Sequence, residues 1–253
     1  MKAMILAAGL GTRLRPLTDN LPKALVEVAG RTLLEITLSR LRTCGVREVI
    51  INVHHFGDLI IEYLKRNDDF GMRIEISRED VLLDTGGGLK RAAHFFVENS
   101  SDVDQPFILH NVDVISTIDL PLMVQFHSEN RALATLAVQD RVTDRYLLFD
   151  EQSQLCGRQS GHDVATEIVR PAHQVQLRAF SGIHVISPRL FAMTGAGIFS
   201  IITSYLHLAA EGQRILAFNA DDYYWRDLGR PDSVEQASQD FKQVAALQKT
   251  LCV

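Results

Sequence analysis

Leu6-Ala7-Ala8-Gly9-Leu10-Gly11-Thr12-Arg13-Leu14-Arg15-Pro16-Leu17-Thr18, with Pro22-Lys23 shortly after, decides how this chain is read. Ala3 to Ala8 is a short apolar run closed by Gly9 and Gly11, which suits a buried central strand of a parallel sheet. It is too short for a secretory leader, and the charges of Arg13 and Arg15 follow the run instead of preceding it. Glycines let backbone N–H groups approach an anion closely. Arg13 and Lys23 add full positive charge, so the segment suits a triphosphate. It is not a P-loop, because Lys23 lies twelve residues beyond Gly11. Nor is it a dinucleotide fingerprint, whose third glycine would fall at Leu14. The plain alternative is a tight turn with surface cations.

Outward from this segment, Leu33–Arg42 has apolar residues at helical spacing before Gly45, Glu48–Val53 is a second strand, Phe56–Arg66 a helix, and Met72–Ser77 alternates as a strand. A glycine run at 86–88 opens a helix through Phe96, and Phe107–Asn111 is another buried strand. This β-α rhythm predicts a doubly wound sheet. The second half changes character. Leu133–Gln139, Arg145–Phe149, Ala165–Arg170 and Arg178–Ile186 read as strands with few long helices between them, which predicts an antiparallel insertion. Phe199–Ala210 reads as a helix, Arg214–Asp227 as a strand pair, and a last helix runs from near Pro231 through Leu247. The whole, residues 1–253, is expected to be one domain, with a nucleotide-binding half at 1–130 and a sugar-phosphate half with closing helix at 131–240.

Composition narrows the partners. The chain has 253 residues, 46% hydrophobic and 23% charged, with net charge −5. That suits an ordinary folded core and argues against nucleic acid, which needs a basic face. Two or three placed cations suffice for a small phosphorylated ligand. Cys44, Cys156 and Cys252 are scattered, so neither zinc nor a disulfide framework is expected, and a reducing cytoplasm is. No apolar run reaches membrane-span length.

The segment from Leu6 to Lys23 resembles the signature of the sugar-1-phosphate nucleotidyltransferases, LAAGxGTRxxPLT followed by PK. Thr85-Gly86-Gly87-Gly88, Asn111-Val112-Asp113, Phe180-Ser181-Gly182-Ile183 and Trp225-Arg226-Asp227-Leu228-Gly229 follow in family order. The chain looks most similar to short members such as the N-acetylmuramate 1-phosphate uridylyltransferases and mannose-1-phosphate guanylyltransferases. The resemblance implies a Rossmann-like, GT-A-type α/β fold with a mixed, mainly parallel sheet flanked by helices. It implies Arg13 and Lys23 as catalytic cations, and Ala7, Ala8, Gly9, Gly11, Thr12, Thr85, Gly87 and Asn111 around the nucleotide. Ser181, Gly182, Glu167 and Arg170 would meet the sugar phosphate. Asp113 and Asp227 would hold Mg²⁺, which takes one or two carboxylates besides phosphate oxygens and water. Taken singly, each aspartate also reads as a cap or turn residue, Thr85–Gly88 as a helix entry, and Ser181-Gly182 as a strand with a bulge. His54-His55 reads as loop, without a third metal ligand nearby, and Asp68-Asp69 and Asp221-Asp222 as solvated turns.

The chain departs from the family pattern in two places. Val112 stands where many relatives have glycine, which predicts a narrower ribose or sugar site. Glu167-Ile168-Val169-Arg170-Pro171 stands where many have Glu-Lys-Pro, so Arg170 would replace the lysine. Larger relatives append a β-helix; only 26 residues follow Asp227 and no hexapeptide repeat appears, so one activity is expected.

The expected partners are an NTP, with UTP or GTP favoured, and a sugar 1-phosphate, acting on a monomer or homodimer. A phosphate monoester, with a second pKa near ~6, is mostly dianionic at neutral pH and needs no general base. The reaction needs alignment and charge neutralisation. The rival from another class is a non-catalytic sugar-nucleotide sensor, which usually loses one of the charged residues; Arg13, Lys23, Asp113 and Asp227 are all present. An oxidoreductase would want an intact GxGxxG and an acidic end to the second strand, where Asn52-Val53-His54 stands instead.

Overall fold

The structure, a computed structural model, describes residues 1–97, 105–161 and 165–243. In chain order the strands and helices are β1 (Lys2–Leu6), β2 (Glu27–Val28), β3 (Arg31–Thr32), α1 (Leu33–Thr43), β4 (Glu48–Val53), α2 (Gly57–Arg66) and β5 (Arg73–Arg78). Next come α3 (Asp84–Arg91), α4 (Ala93–Val97), β6 (Phe107–Asn111), β7 (Val114–Ser116), α5 (Leu120–Glu129), β8 (Ala134–Gln139), β9 (Arg145–Phe149) and β10 (Leu155–Ser160). The remainder are β11 (Ala165–Ile168), β12 (Gln176–Ile186), α6 (Leu190–Met193), α7 (Ile201–Ala210), β13 (Ile215–Asn219), β14 (Trp225–Asp227) and α8 (Pro231–Gln243).

The chain forms two compact units, and the first gathers three separate segments: Met1–Leu82, Leu109–Ile118 and Tyr223–Val253. Its strand order is β6-β1-β4-β5, with β1, β4 and β5 parallel. Ala3, Met4 and Ile5 of β1 and Val49, Ile50 and Ile51 of β4 have no exposed surface. Burial on both faces is why these strands read as unbroken apolar runs. Thr32 caps α1, its hydroxyl accepting from the Glu35 N–H at 3.1 Å. β14 pairs antiparallel with β7, which brings Asp227 opposite Val114. Arg40 of α1 is buried and donates to the Ser116 hydroxyl at 2.9 Å and to the Ile118 carbonyl, tying the helix to the end of β7.

The second unit, Leu83–Ile108 and Asp119–Asp222, has the order β11-β10-β9-β12, with β8 on β12 and β13 on β8. β10 pairs antiparallel with β11 and with β9, and β12 antiparallel with β8 and with β9, while β13 joins β8 in parallel. Phe96 stacks on Phe107 at 3.8 Å between ring centroids, and Phe107 on Phe191 at 5.7 Å.

The mixed sheet with flanking helices agrees with the sequence reading, and two local expectations are corrected. The helix after the glycine run is two, interrupted at Ala92. Residues 214–227 are not a strand pair: β13 joins β8 and β14 joins β7, because each finds its partner far away in the chain. β10 and α5 were not foreseen. The last helix is described only to Gln243, so its expected run through Leu247, like Cys252, lies outside the described residues. Among the described residues, no helix is long and apolar enough to cross a membrane.

Candidate active site

The Leu6–Lys23 segment leaves β1 at the carboxyl end of the parallel strands, where open α/β sheets bind ligands. Ala7 and Ala8 are buried, while Gly9, Thr12 and Arg13 are exposed. Gly11 has φ +66°, and a methyl group there would lie 3.1 Å from Thr18 Cγ2, so both backbone and space favour glycine. The Leu14 N–H donates to the Gly11 carbonyl at 2.9 Å, and the Thr18 hydroxyl donates to the same oxygen at 2.8 Å. The loop is therefore held from inside, and its outer surface is left to a ligand.

Asp113 follows β6 in the turn to β7 and is 6% exposed. The Val112 N–H donates to the Leu6 carbonyl at 3.1 Å, which ties this turn to the end of β1. Lys23 Nζ donates to Asp113 Oδ2 at 2.6 Å. Asp227 ends β14; the Leu228 N–H donates to the Asp113 carbonyl at 2.8 Å, and the Gly229 N–H to Asp227 Oδ1 at 2.9 Å. A methyl group at Gly229 would lie 3.0 Å from Arg13 Nη2, so the guanidinium rests against that turn. Burial pushes the Asp227 carboxyl up, and the charge of Asp113 pushes it further; Lys23 and Arg13 pull it back in part. Arg13, Lys23, Asp113 and Asp227 thus meet within one unit. Asn111, the last residue of β6, stands beside them in sequence and is half-buried.

Val112 corrects an expectation. It has no exposed surface and belongs to the core, so it does not narrow an open ligand site.

Of the second unit's expected residues, Thr85 and Gly86-Gly87-Gly88 lie in the first turns of α3. The Gly86 and Gly87 N–H groups donate to the Phe199 carbonyl at 2.9 and 3.2 Å, and the Thr85 hydroxyl accepts from the Ile201 N–H at 3.0 Å. A methyl group on Gly86 would sit 2.3 Å from Phe199 Cε2, and one on Gly87 2.2 Å from the Gly197 carbonyl oxygen. These glycines have a packing reason of their own, besides any nucleobase. Ser181 is buried and Gly182 has φ +74°, inside a register break of β12 between Phe180 and His184. Arg170 donates to the Asp150 carboxylate and, at 3.1 Å, to Gln154 Oε1; Glu167 pairs with Arg158 at 2.7 Å. Glu167 and Arg170 therefore have separate partners in the β9–β11 ribbon. Asp221, expected as a solvated turn residue, accepts from the Asp140 N–H at 2.6 Å and pairs with Arg178 at 3.1 Å.

Sequence reasoning missed two residues of the first unit. Asn52, opposite Leu6 in the β1–β4 register, accepts from the Ala7 N–H through Oδ1 at 2.7 Å. Its Nδ2 donates to Glu79 Oε1 at 2.7 Å. Asn52 is 3% exposed and Glu79 4%. A polar residue inside the apolar run EVIINV was the available signal.

The nucleotidyl transferase family model matches residues 2–244. This chain is a nucleotidyl transferase. It is 34% identical over 239 residues to the N-acetylmuramate alpha-1-phosphate uridylyltransferase of Caulobacter vibrioides, covering 91% of this chain and 93% of that protein. It is 29% identical to the mannose-1-phosphate guanyltransferase of Yarrowia lipolytica, covering 91% of this chain but 61% of that protein. The fold is shared with HddC from Yersinia pseudotuberculosis complexed with GMP-PN (TM-score 0.73, 22% identity, 95% of this chain and 99% of that one). It is also shared with the inositol-1-phosphate CTP transferase of T. maritima (TM-score 0.69, 18% identity, 96% of each chain). Within the family, the transferase belongs with the sugar-1-phosphate nucleotidyltransferases.

Proposed function

We propose that this transferase moves uridylyl from UTP to N-acetylmuramate 1-phosphate, giving the UDP-sugar and pyrophosphate. The observation carrying the chemistry is the convergence of Arg13, Lys23, Asp113 and Asp227. The choice of base and sugar rests on the match to the Caulobacter enzyme, which spans nearly all of both chains. A phosphate oxygen of the sugar phosphate attacks the α-phosphorus, and the bond from that phosphorus to the β-phosphate bridging oxygen breaks. Lys23 leaves Asp113 for the α-phosphate and the incoming phosphate; Arg13 holds the departing pyrophosphate.

Asp113 and Asp227 suit Mg²⁺. One carboxyl is buried, the other is raised by burial and by its neighbour's charge, and such a pair gains from a shared cation. Among the described residues there is no group of three or more His, Cys, Asp or Glu placed for a metal. Two carboxylates are what Mg²⁺ takes when triphosphate oxygens and water complete its shell. When bound, the ion supplies positive charge and alignment for the triphosphate. The free, buried thiol of Cys156 supports a reducing compartment such as the cytoplasm.

The test is pyrophosphate release with Mg²⁺, crossing UTP, GTP, CTP, dTTP and ATP against N-acetylmuramate, mannose, glucose and heptose 1-phosphates. Turnover concentrated in the UTP–muramate pair and abolished by EDTA supports the reading. Turnover in another pair replaces the substrates, and binding without turnover favours a sensor.

A further inference from the structure

Asn52 spends its whole side chain inside the protein, and its orientation is imposed. The Ala7 N–H only donates, so it must face Oδ1; Nδ2 then points at Glu79, whose carboxylate accepts. The Glu79 backbone is clamped as well. Its N–H donates to the Val53 carbonyl at 2.8 Å, and its carbonyl accepts from His54 Nδ1 at 2.7 Å. A carbonyl cannot donate, so His54 carries its proton on Nδ1. The chain of contacts runs His54, Glu79, Asn52, Ala7, from the carboxyl ends of β5 and β4 to the first residue after β1.

The Leu6–Ala7 peptide is thereby held on its N–H side by a side chain, while its carbonyl accepts from the Val112 N–H just after β6. Ala7 lies beyond the last residue of β1, where the β1–β4 ladder ends at Leu6 opposite Asn52. Without the amide, the Ala7 N–H would be a buried donor with no partner at the point where the strand becomes the nucleotide loop.

We propose that Asn52 and Glu79 form a positioning pair for the nucleobase. They hold the Ala7-Ala8 backbone in the one path that discriminates among bases, without touching the nucleotide or the reacting atoms. The inference rests on the nucleotidyl-transfer reading and deepens it, by naming residues that govern which NTP is accepted. Because the pair bonds the Ala7 N–H directly and reaches Asp113 only through the Leu6 carbonyl and Val112, its loss should act first on base selection.

The experiment compares the wild type with Asn52→Leu, Asn52→Asp and Glu79→Gln. Each is assayed for KM and kcat across the five NTPs, and for product inhibition by inorganic pyrophosphate. Asn52→Leu is expected to raise KM for the preferred NTP about tenfold, the scale of one buried hydrogen-bond partner lost. It should flatten preference among the bases, with kcat and pyrophosphate inhibition within about twofold of wild type. Glu79→Gln keeps an acceptor facing Asn52 and should largely retain selectivity. Asn52→Asp keeps the acceptor for Ala7 but sets two carboxylates face to face, and should behave like Asn52→Leu. Circular dichroism and the unfolding midpoint report whether Asn52→Leu folds; if it does not, Asn52→Asp against Glu79→Gln decides. A fall in kcat and pyrophosphate inhibition with unchanged base preference, or no change at all, overturns the inference. An inactive wild type would instead strike the functional reading itself.

Discussion

Lys23 and Asp113 are partners in the free protein, and the proposed function gives each other work once substrates arrive. Replacing Lys23 by Ala or Asp113 by Asn should lower the rate of pyrophosphate release about 10²–10³-fold, the scale of one lost electrostatic contributor. Asp227 yields a prediction of opposite sign for stability. Its carboxyl is held above 3.8, first by burial and then by Asp113. The stability linked to its protonated form is present below 3.8 and is lost as pH rises through the raised value. At pH 7 the folded protein bears that penalty in full. Asp227→Asn should therefore unfold at a higher urea concentration than wild type at pH 7, while losing turnover, and the gain should vanish in acid. At this scale the charged residues were legible, because their motifs place them in a recognisable order. Asn52 and Glu79 were not, because their roles depend on which strands lie side by side.

Among the elements, α3 shows packing overruling propensity. Alanine is a better helix former than glycine by about 1 kcal/mol, yet a methyl group on Gly87 would meet the Gly197 carbonyl oxygen at 2.2 Å. Backbone cannot swing aside as a flexible side chain can, and overpacking of this kind typically costs about 1–3 kcal/mol. Gly87→Ala should lower the urea midpoint, whereas Gly195→Ala, with nothing within 4 Å of the added methyl, should leave it nearly unchanged. β1, β4, β5 and α2 were readable from apolar runs and spacing. α5 was missed although Asp119 caps it and Pro121 sits in its first turn. β10 was missed because LCGRQS does not alternate, and Gly157 occupies a site where a methyl group would lie 2.3 Å from the Glu167 carbonyl oxygen. The assignment of β13 and β14 failed because local sequence says that a segment is extended, not whom it pairs with.

Across the molecule, two of the buried histidines weaken the fold in acid. Burial, then Arg40, pushes His110 down to about 3; burial, then Arg189, pushes His127 down to about 4. Both are lowered below 6.5, so the unfolded chain binds more protons in this range. The stability linked to their neutral forms is full above pH 6.5 and falls as pH drops toward 4, with a slope of about 1.4 kcal/mol per pH unit for each fully titrating histidine. His127→Leu should remove about one proton's worth of that slope in urea unfolding measured from pH 7 to pH 4.5, whatever it does to stability at neutral pH.

The threading of the chain has a consequence for how the protein is made. Arg13, Lys23 and Asp113 precede the long excursion 119–222, and Asp227 follows it. Synthesis proceeds from the N-terminus, so a nascent chain presents its lysine–aspartate pair while β7 still waits for β14. The second carboxylate and the last strand of the first unit arrive together, on the return leg. On the proposed function, nucleotide turnover therefore waits until the segment that carries Asp227 has been made and β14 has joined β7.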